Sequence, residues 1–244
     1  MSLAAAGAIC LYAPAVGAVV LVLVVAALTL LLWMYVPRLD WPGHSLWRGP
    51  RGGGRIALTF DDGPNGEDTR AVLAVLSAHG ARATFFCLGQ AAAAQPELVR
   101  RIAAEGHLVA NHGDSHRKLC WLRRAEVAAE IDRAQQRLLA TGVPPPRWFR
   151  APHGFKSPFL PGLLRARSLR LAAWTRGVWD SDRPGAAIIA RRACRHLRDG
   201  AILLLHDGGG DRSQTAQALE EILAECARRG LRPVTLDELV APIE

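Results

Sequence analysis

Between Ile56 and Thr235 the chain alternates between two kinds of segment. Seven short, mainly apolar runs, Ile56–Phe60, Ala83–Leu88, Leu108–Asn111, Arg147–Ala151, Leu169–Trp174, Ala201–His206 and Pro233–Thr235, are separated by stretches with helical punctuation. Short apolar runs without strict alternation suit strands covered on both faces, the condition of a parallel sheet. The intervening stretches read as helices. Glu67–His79 stops at Gly80, and the next begins with Pro96 in its first turn and stops at Gly106. Ala125–Ala140 carries Val127, Ile131, Ala134 and Leu138 on one face and ends before Gly142. A short helix follows from Pro158, with Ser157 as its N-cap. Gly185–Leu197 and Gln214–Arg229 follow, the latter stopped by Gly230, and Asp237–Val240 is a last helical turn. Parallel strands need crossover connections, so this alternation predicts a parallel α/β architecture, either an open doubly wound sheet or a closed barrel. No GxGxxG or Walker A pattern follows the first strand, so nucleotide binding has no motif behind it.

The N-terminal stretch obeys a different rule. Residues 1–37 contain no Asp, Glu, Lys, Arg or His, and Leu3–Val36 is almost wholly apolar. A membrane-spanning helix needs roughly 20 such residues, so one span is expected, its better part from Val16 to Tyr35 after Pro14. Trp33 and Tyr35 fall where an interfacial aromatic belt belongs. A cleaved signal peptide is the competing reading; the missing basic n-region and the length of the apolar stretch speak against it. Residues 1–36 are thus read as a single-pass anchor and 37–54 as a linker. The linker holds Pro37, Pro42, Gly43, Pro50 and Gly52–Gly54 without periodicity and is expected to be mobile. Residues 55–241 form the remaining, folded unit. Arg38, Arg48, Arg51 and Arg55 follow the span, which by the positive-inside tendency places that unit on the cytoplasmic side. The net charge of +8 is carried by arginines spread over predicted helix surfaces, with Lys118 and Lys156 the only lysines. This pattern lacks the aromatic-interleaved cluster of a nucleic-acid site and suits a solvated face near anionic lipid. The five cysteines have no CxxC spacing and suggest no disulfide framework.

Chemistry-bearing residues stand at the C-terminal ends of five predicted strands. Asp61 and Asp62 follow the first, and Gly63-Pro64 turns the chain there. His112 and His116 follow the third and would share a face if that segment is a helical turn. Arg150 ends the fourth, Asp180 in Trp179-Asp180-Ser181-Asp182 lies beyond the fifth, and His206 with Asp207 ends the sixth. In parallel α/β folds ligands bind at this edge. Each residue alone has an ordinary structural explanation, as loop cap, core histidine or ion pair; five strands converging on one rim do not. Two imidazoles and a carboxylate make a catalytic zinc-type ligand set. A further carboxylate and a further histidine complete the parts for metal-assisted hydrolysis of an amide or ester.

These residues resemble the motifs of the polysaccharide deacetylase family, the NodB-homology or carbohydrate esterase 4 family. Thr59-Phe60-Asp61-Asp62-Gly63, His112-Gly113-Asp114-Ser115-His116, Arg150-Ala151-Pro152-His153-Gly154, Trp179-Asp180-Ser181-Asp182 and Leu204-Leu205-His206-Asp207 occur in family order. The resemblance covers residues 54–240 and implies a distorted (β/α)7 barrel. It implies Asp62, His112 and His116 as ligands of a divalent metal, Zn2+ before Co2+ or another ion. Asp61 would be the general base, Arg150 its partner, His206 the general acid, and Asp180, rather than Asp182, its orienting residue. Backbone N–H groups near Gly154 and Phe155 would hold the oxyanion, and Trp179 and Leu204 would wall the acetyl pocket. The implied substrate is an acetylated amino-sugar glycan, such as peptidoglycan or a chitin-like oligosaccharide, with an extracytoplasmic site. A lipid-linked or cytoplasmic sugar amide and a catalytically silent glycan-binding module are the alternatives. No nucleic acid and no protein partner is implied. Gly113 departs from the second motif, which usually has Ser or Thr there.

Overall fold

The computed structural model describes residues 3–36, 39 and 45–242. Helix α1 (Leu3–Tyr35) is unbroken at Pro14; its Val16–Tyr35 part is long and apolar enough to cross a membrane. The linker residues Pro37, Arg38, Pro42 and Gly43 lie outside the described residues. From β1 (Ser45–Leu46) onward the chain forms one parallel α/β unit. Its next elements are β2 (Arg55–Asp61), α2 (Gly66–Ala78), β3 (Thr84–Cys87), α3 (Gly89–Ala94), α4 (Pro96–Ala104), β4 (Leu108–Asn111) and α5 (Arg124–Ala140). There follow β5 (Trp148–Phe149), α6 (Leu160–Arg165), β6 (Arg170–Ala172), β7 (Arg176–Gly177), α7 (Ala186–Cys194), β8 (Ile202–His206), α8 (Ser213–Arg228), β9 (Arg232–Val234) and α9 (Leu236–Val240).

The strands pair in parallel in the order β1-β6-β5-β4-β3-β2-β8-β7, with β9 added on β2. β6 and β7 are neighbours in sequence yet stand near opposite ends of this order, β6 next to the edge strand β1 and β7 at the other edge. Residues between them must therefore cross from one edge to the other. Ala173 N donates to Leu46 O and Thr175 N to Ile202 O, each at 2.8 Å, while the Thr175 hydroxyl donates to Trp47 O. The sheet thus curls into the distorted barrel expected, and the crossing ends β6 within the run Leu169–Trp174 and sets β7 just beyond that run.

The stretch expected to be a mobile linker is fixed over its last part. β1 pairs with β6, Gly49 N donates to Gly200 O, and Arg55 N to Asp199. A two-residue strand is too short to register as periodicity, and its partners lie more than a hundred residues away.

Strand alternation sorts the core into two layers. Ile56, Leu58, Phe60, Phe85, Cys87, Leu203 and Leu205 point outward under α2, α4, α7 and α8. Ala57, Phe86, Ala110, Trp148, Ala172, Ile202 and Val234 fill the barrel. On β2 the inward set continues from Ala57 through Thr59 to Asp61, so the same alternation that packs the core delivers a carboxylate to the rim.

Candidate active site

Asp61 ends β2 in register with His206 at the end of β8. The next residue, Asp62, turns away with φ 75°, a left-handed conformation that an aspartate tolerates better than most residues. That turn separates the two carboxylates. Asp61 stays inside the barrel: the Arg150 guanidinium donates to its Oδ1 at 2.7 Å, to the Thr59 hydroxyl at 2.8 Å and to Ala173 O at 2.9 Å. Arg150 has no solvent exposure and lies over the Phe86 ring at 4.0 Å. A buried cation of this kind is tolerated only because it is paired and hydrogen-bonded.

Asp62 faces the histidines. Its Oδ1 lies 3.3 Å from His112 Nε2 and 3.1 Å from His116 Nε2. That oxygen is buried and has no partner in hydrogen-bonding geometry. The three ligand atoms lie within 4.8 Å of one another. A tetrahedral ion with bonds of ~2.0–2.1 Å sets its ligands about 3.3 Å apart, so the orphaned oxygen and two imidazole nitrogens fit a divalent cation. Burial would push the Asp62 carboxyl up, but the close His112 and His116 imidazoles outweigh it and hold the group far below the usual carboxylate range. His112 is aimed from behind, since its Nδ1 lies 2.9 Å from Arg150 O, leaving Nε2 for the site.

The segment carrying the histidines is a loop, not the helical turn that the i, i+4 spacing suggested. His116 is brought back to His112 by a left-handed residue of its own, φ 60°. Glu130, fully buried on α5, holds this loop by accepting from Asp114 N, Ser115 N and the Ser115 hydroxyl. Asn111 Oδ1 accepts from Gly113 N at 2.8 Å. Gly113 itself has φ 80°, which suits glycine and not Ser or Thr. The departure from the second motif therefore goes with a backbone conformation and with support from α5. Glu130 carried a signal that periodicity could have exposed: it stands on the apolar stripe of Val127, Ile131 and Ala134.

On the other side of the rim, His206 Nδ1 lies 2.8 Å from Asp180 Oδ1, and His206 N donates to Asp180 Oδ2. The Thr215 hydroxyl also donates to that oxygen. Asp180 is buried and Asp182 exposed, so Asp180 is the partner of the histidine. Burial works against a charged imidazole, but the Asp180 hydrogen bond and charge prevail and raise His206 to about 9. Behind the rim, burial pushes Asp207 up to about 7; the Thr69 hydroxyl donates to it at 2.6 Å.

The remaining expectations fare differently. Gly154 N and Phe155 N already donate to Ala151 O and Pro152 O, closing a tight turn. These amides are thus engaged within their own loop and do not stand as free oxyanion donors. Leu204 points inward beside Thr59, whereas Trp179 stands exposed at the rim with φ 59°. His153, unassigned from sequence, brings its ring 4.2 Å from that of His116.

A curled parallel barrel whose rim pairs an Asp-His-His cluster with a buried Asp–Arg pair and a His–Asp pair defines a hydrolase of the deacetylase type with a candidate metal site. The chain belongs to the polysaccharide deacetylase family, whose model matches residues 48–169. It is 39% identical over 75% of its length to a chitooligosaccharide deacetylase of Bradyrhizobium sp., 90% of which is covered. It is 34% identical over 81% of its length to a peptidoglycan-N-acetylglucosamine deacetylase of Bacillus cereus, 93% of which is covered. Among solved structures, the Bc1960 peptidoglycan N-acetylglucosamine deacetylase superposes with a TM-score of 0.79 at 29% identity, covering 83% of this chain and 96% of that one. A family 4 carbohydrate esterase from Streptomyces lividans in complex with acetate gives 0.70 at 33% identity over 75% and 93%.

Proposed function

We propose that the protein is a membrane-anchored, metal-dependent deacetylase that removes N-acetyl groups from an amino-sugar glycan and releases acetate. The observation that carries this reading is the separation of two adjacent carboxylates into different environments. Asp62 shares an orphaned oxygen with two imidazoles, while Asp61 is neutralised by Arg150. The relatives named for deacetylation of peptidoglycan and chitooligosaccharide support the substrate class.

Asp62, His112 and His116 would hold the ion, and two histidines with one carboxylate favour Zn2+. Such an ion supplies Lewis-acid polarisation of the acetyl carbonyl and lowers the pKa of water to about 7. The protein's own residues do the rest. Arg150 fixes Asp61 through Oδ1, which leaves Oδ2, 3.7 Å from His112 Nε2, turned toward the cluster to take the proton of the attacking water. His206 is held by Asp180 through Nδ1, so Nε2 is the nitrogen that delivers a proton to the departing amine. Trp179 and Leu204 line the approach of the acetyl group. Residues 1–36 anchor the enzyme, and 37–54, whose last part already packs on the barrel through β1, join the anchor to the rest of the catalytic unit up to residue 241.

The test is Asp61→Asn in the full chain, assayed for acetate release from N-acetylglucosamine oligomers and for bound metal. The expected result is loss of turnover with about one equivalent of metal retained, against metal loss in Asp62→Asn; full activity in Asp61→Asn would sink the mechanism. An alkaline phosphatase fusion at the C-terminus reports the side of the membrane, and with it whether the substrate is cell-wall glycan or a cytoplasmic sugar amide.

A further inference from the structure

The end of α1 is gripped by the catalytic unit. From Val16 to Leu32 its residues are exposed, as a span without its bilayer must be, but Trp33 is only 3% exposed. Lys156, itself buried, accounts for much of the grip. Its N–H donates to Met34 O at 2.9 Å, and its Nζ donates to Val36 O and Leu39 O at 3.0 and 2.8 Å. The ammonium also lies 4.9 Å from the Trp33 ring centre. The backbone N–H thus satisfies a terminal carbonyl the helix cannot pair, and the cation just past the helix end complements its dipole. Tyr35 completes the joint: its ring meets Phe155 edge-on at 4.8 Å, and Cys120 is a near neighbour of its hydroxyl.

Two loops therefore surround the point where the apolar helix ends, and both come from the rim. One follows Arg150, the other follows His116. The second loop continues into a surface of distinctive chemistry. Trp121, next to Cys120, is 74% exposed, and Arg117, Lys118, Arg123 and Arg124 around it are exposed as well. Among the described residues only Glu126, which meets the Arg117 side chain and the Arg123 N–H, offsets their charge there. On the Lys156 side, Phe159 is also exposed. Large exposed aromatics interspersed with cations, beside the exit of an apolar helix, match what the headgroup region selects: amphipathic rings at its depth and positive charge on anionic lipid.

We propose that residues 117–124, with Trp121 at the centre and Phe159 at the flank, form a collar that lies on an anionic lipid surface where α1 leaves the bilayer. This rests on α1 being a retained span. The collar fixes the orientation of the barrel, not only its tether. Its loop begins directly after His116, and ring contacts step from Tyr35 to Phe155, His153 and His116 at 4.8, 5.9 and 4.2 Å. The catalytic rim is held close above the headgroups, and glycan must reach it there.

The experiment is hydrogen exchange on the full chain in phosphatidylglycerol nanodiscs, phosphatidylcholine nanodiscs and detergent micelles. Amides of 117–124 are expected to exchange at least about fivefold more slowly on the anionic discs than in detergent. A W121S/R124E variant should restore the detergent rate without altering exchange in β2 and β8. Equal exchange in all three media, with residues 16–32 still protected by the discs, overturns the collar and leaves the anchor standing. Release of the chain from discs by alkaline carbonate overturns the anchor and the collar together. Acetate release from a soluble oligomer, measured on the same samples, reports the deacetylase reading separately. Equal protection on neutral and anionic discs overturns the assignment to anionic lipid.

Discussion

Replacing Arg150 by methionine removes a buried charge and keeps the side chain's apolar length. Arg150 makes three hydrogen bonds inside the barrel, and its loss leaves Asp61, also buried, without its cation. Removing one partner of a buried ion pair costs about 3–5 kcal/mol, because the other charge stays desolvated and unpaired. For a chain of this size each kcal/mol shifts the unfolding midpoint by roughly 2–4 °C, so a fall of roughly 6–20 °C is expected. Asp61→Asn leaves the opposite orphan, the guanidinium, and should cost a similar amount. The double variant is the informative one. With both charges gone the uncompensated term vanishes, and what remains is the lost donation to Thr59 and Ala173, about 1–3 kcal/mol. Denaturant unfolding of the full chain in detergent, followed by tryptophan fluorescence, gives all four corners of the cycle. The double variant should be more stable than the sum of the singles predicts by at least about 2 kcal/mol. Strictly additive losses would refute the claim that Arg150 and Asp61 are maintained as a pair, and with it the physical basis for assigning Asp61 the base role.

Three further outcomes are expected. Glu130→Ala frees the loop that carries His116 and should weaken metal binding by about 10–100-fold in calorimetric titration, although Glu130 touches no ligand. Gly113→Ala places a side chain at φ 80° with its Cβ 3.5 Å from Pro152 Cγ, an ordinary contact; the cost is conformational, about 1–2 kcal/mol in unfolding free energy. Turnover should fall as pH rises through about 9, where His206 loses its proton, and Asp180→Asn should move that limb toward the ordinary imidazole value of about 6.5. The stability consequence has a fixed sign. Because the folded value is raised, the His206–Asp180 pair stabilises fully below about pH 6.5 and loses that contribution as pH rises to about 9, measurable as a midpoint that declines over that window in the wild type and not in Asp180→Asn.

The chain's order of residues determined the class of fold and most of the rim. Alternating apolar runs and capped helices specify parallel strands, and strand period carries Asp61 inward behind Thr59 and Ala57. A charge-free N-terminal stretch specifies an apolar helix wherever it lies. These are local properties, set by side-chain period and backbone preference over a few residues. Tertiary structure decided what depends on partners distant in sequence. β1 and β7 are two residues each and exist only because β6 and β8 offer them edges. The separation of Asp61 from Asp62 into different surroundings rests on Arg150, some ninety positions away, and on a single left-handed residue. The spacing of His112 and His116 suggested a helical turn; a loop held by Glu130 achieves the same convergence with different backbone. The preference for Asp180 over Asp182 gained its physical reason only from the burial of Asp180 against Thr215 and His206. The grip of Lys156 on the end of α1 has no sequence signature, because one lysine at a distance of more than a hundred residues becomes a helix cap only after the barrel has closed.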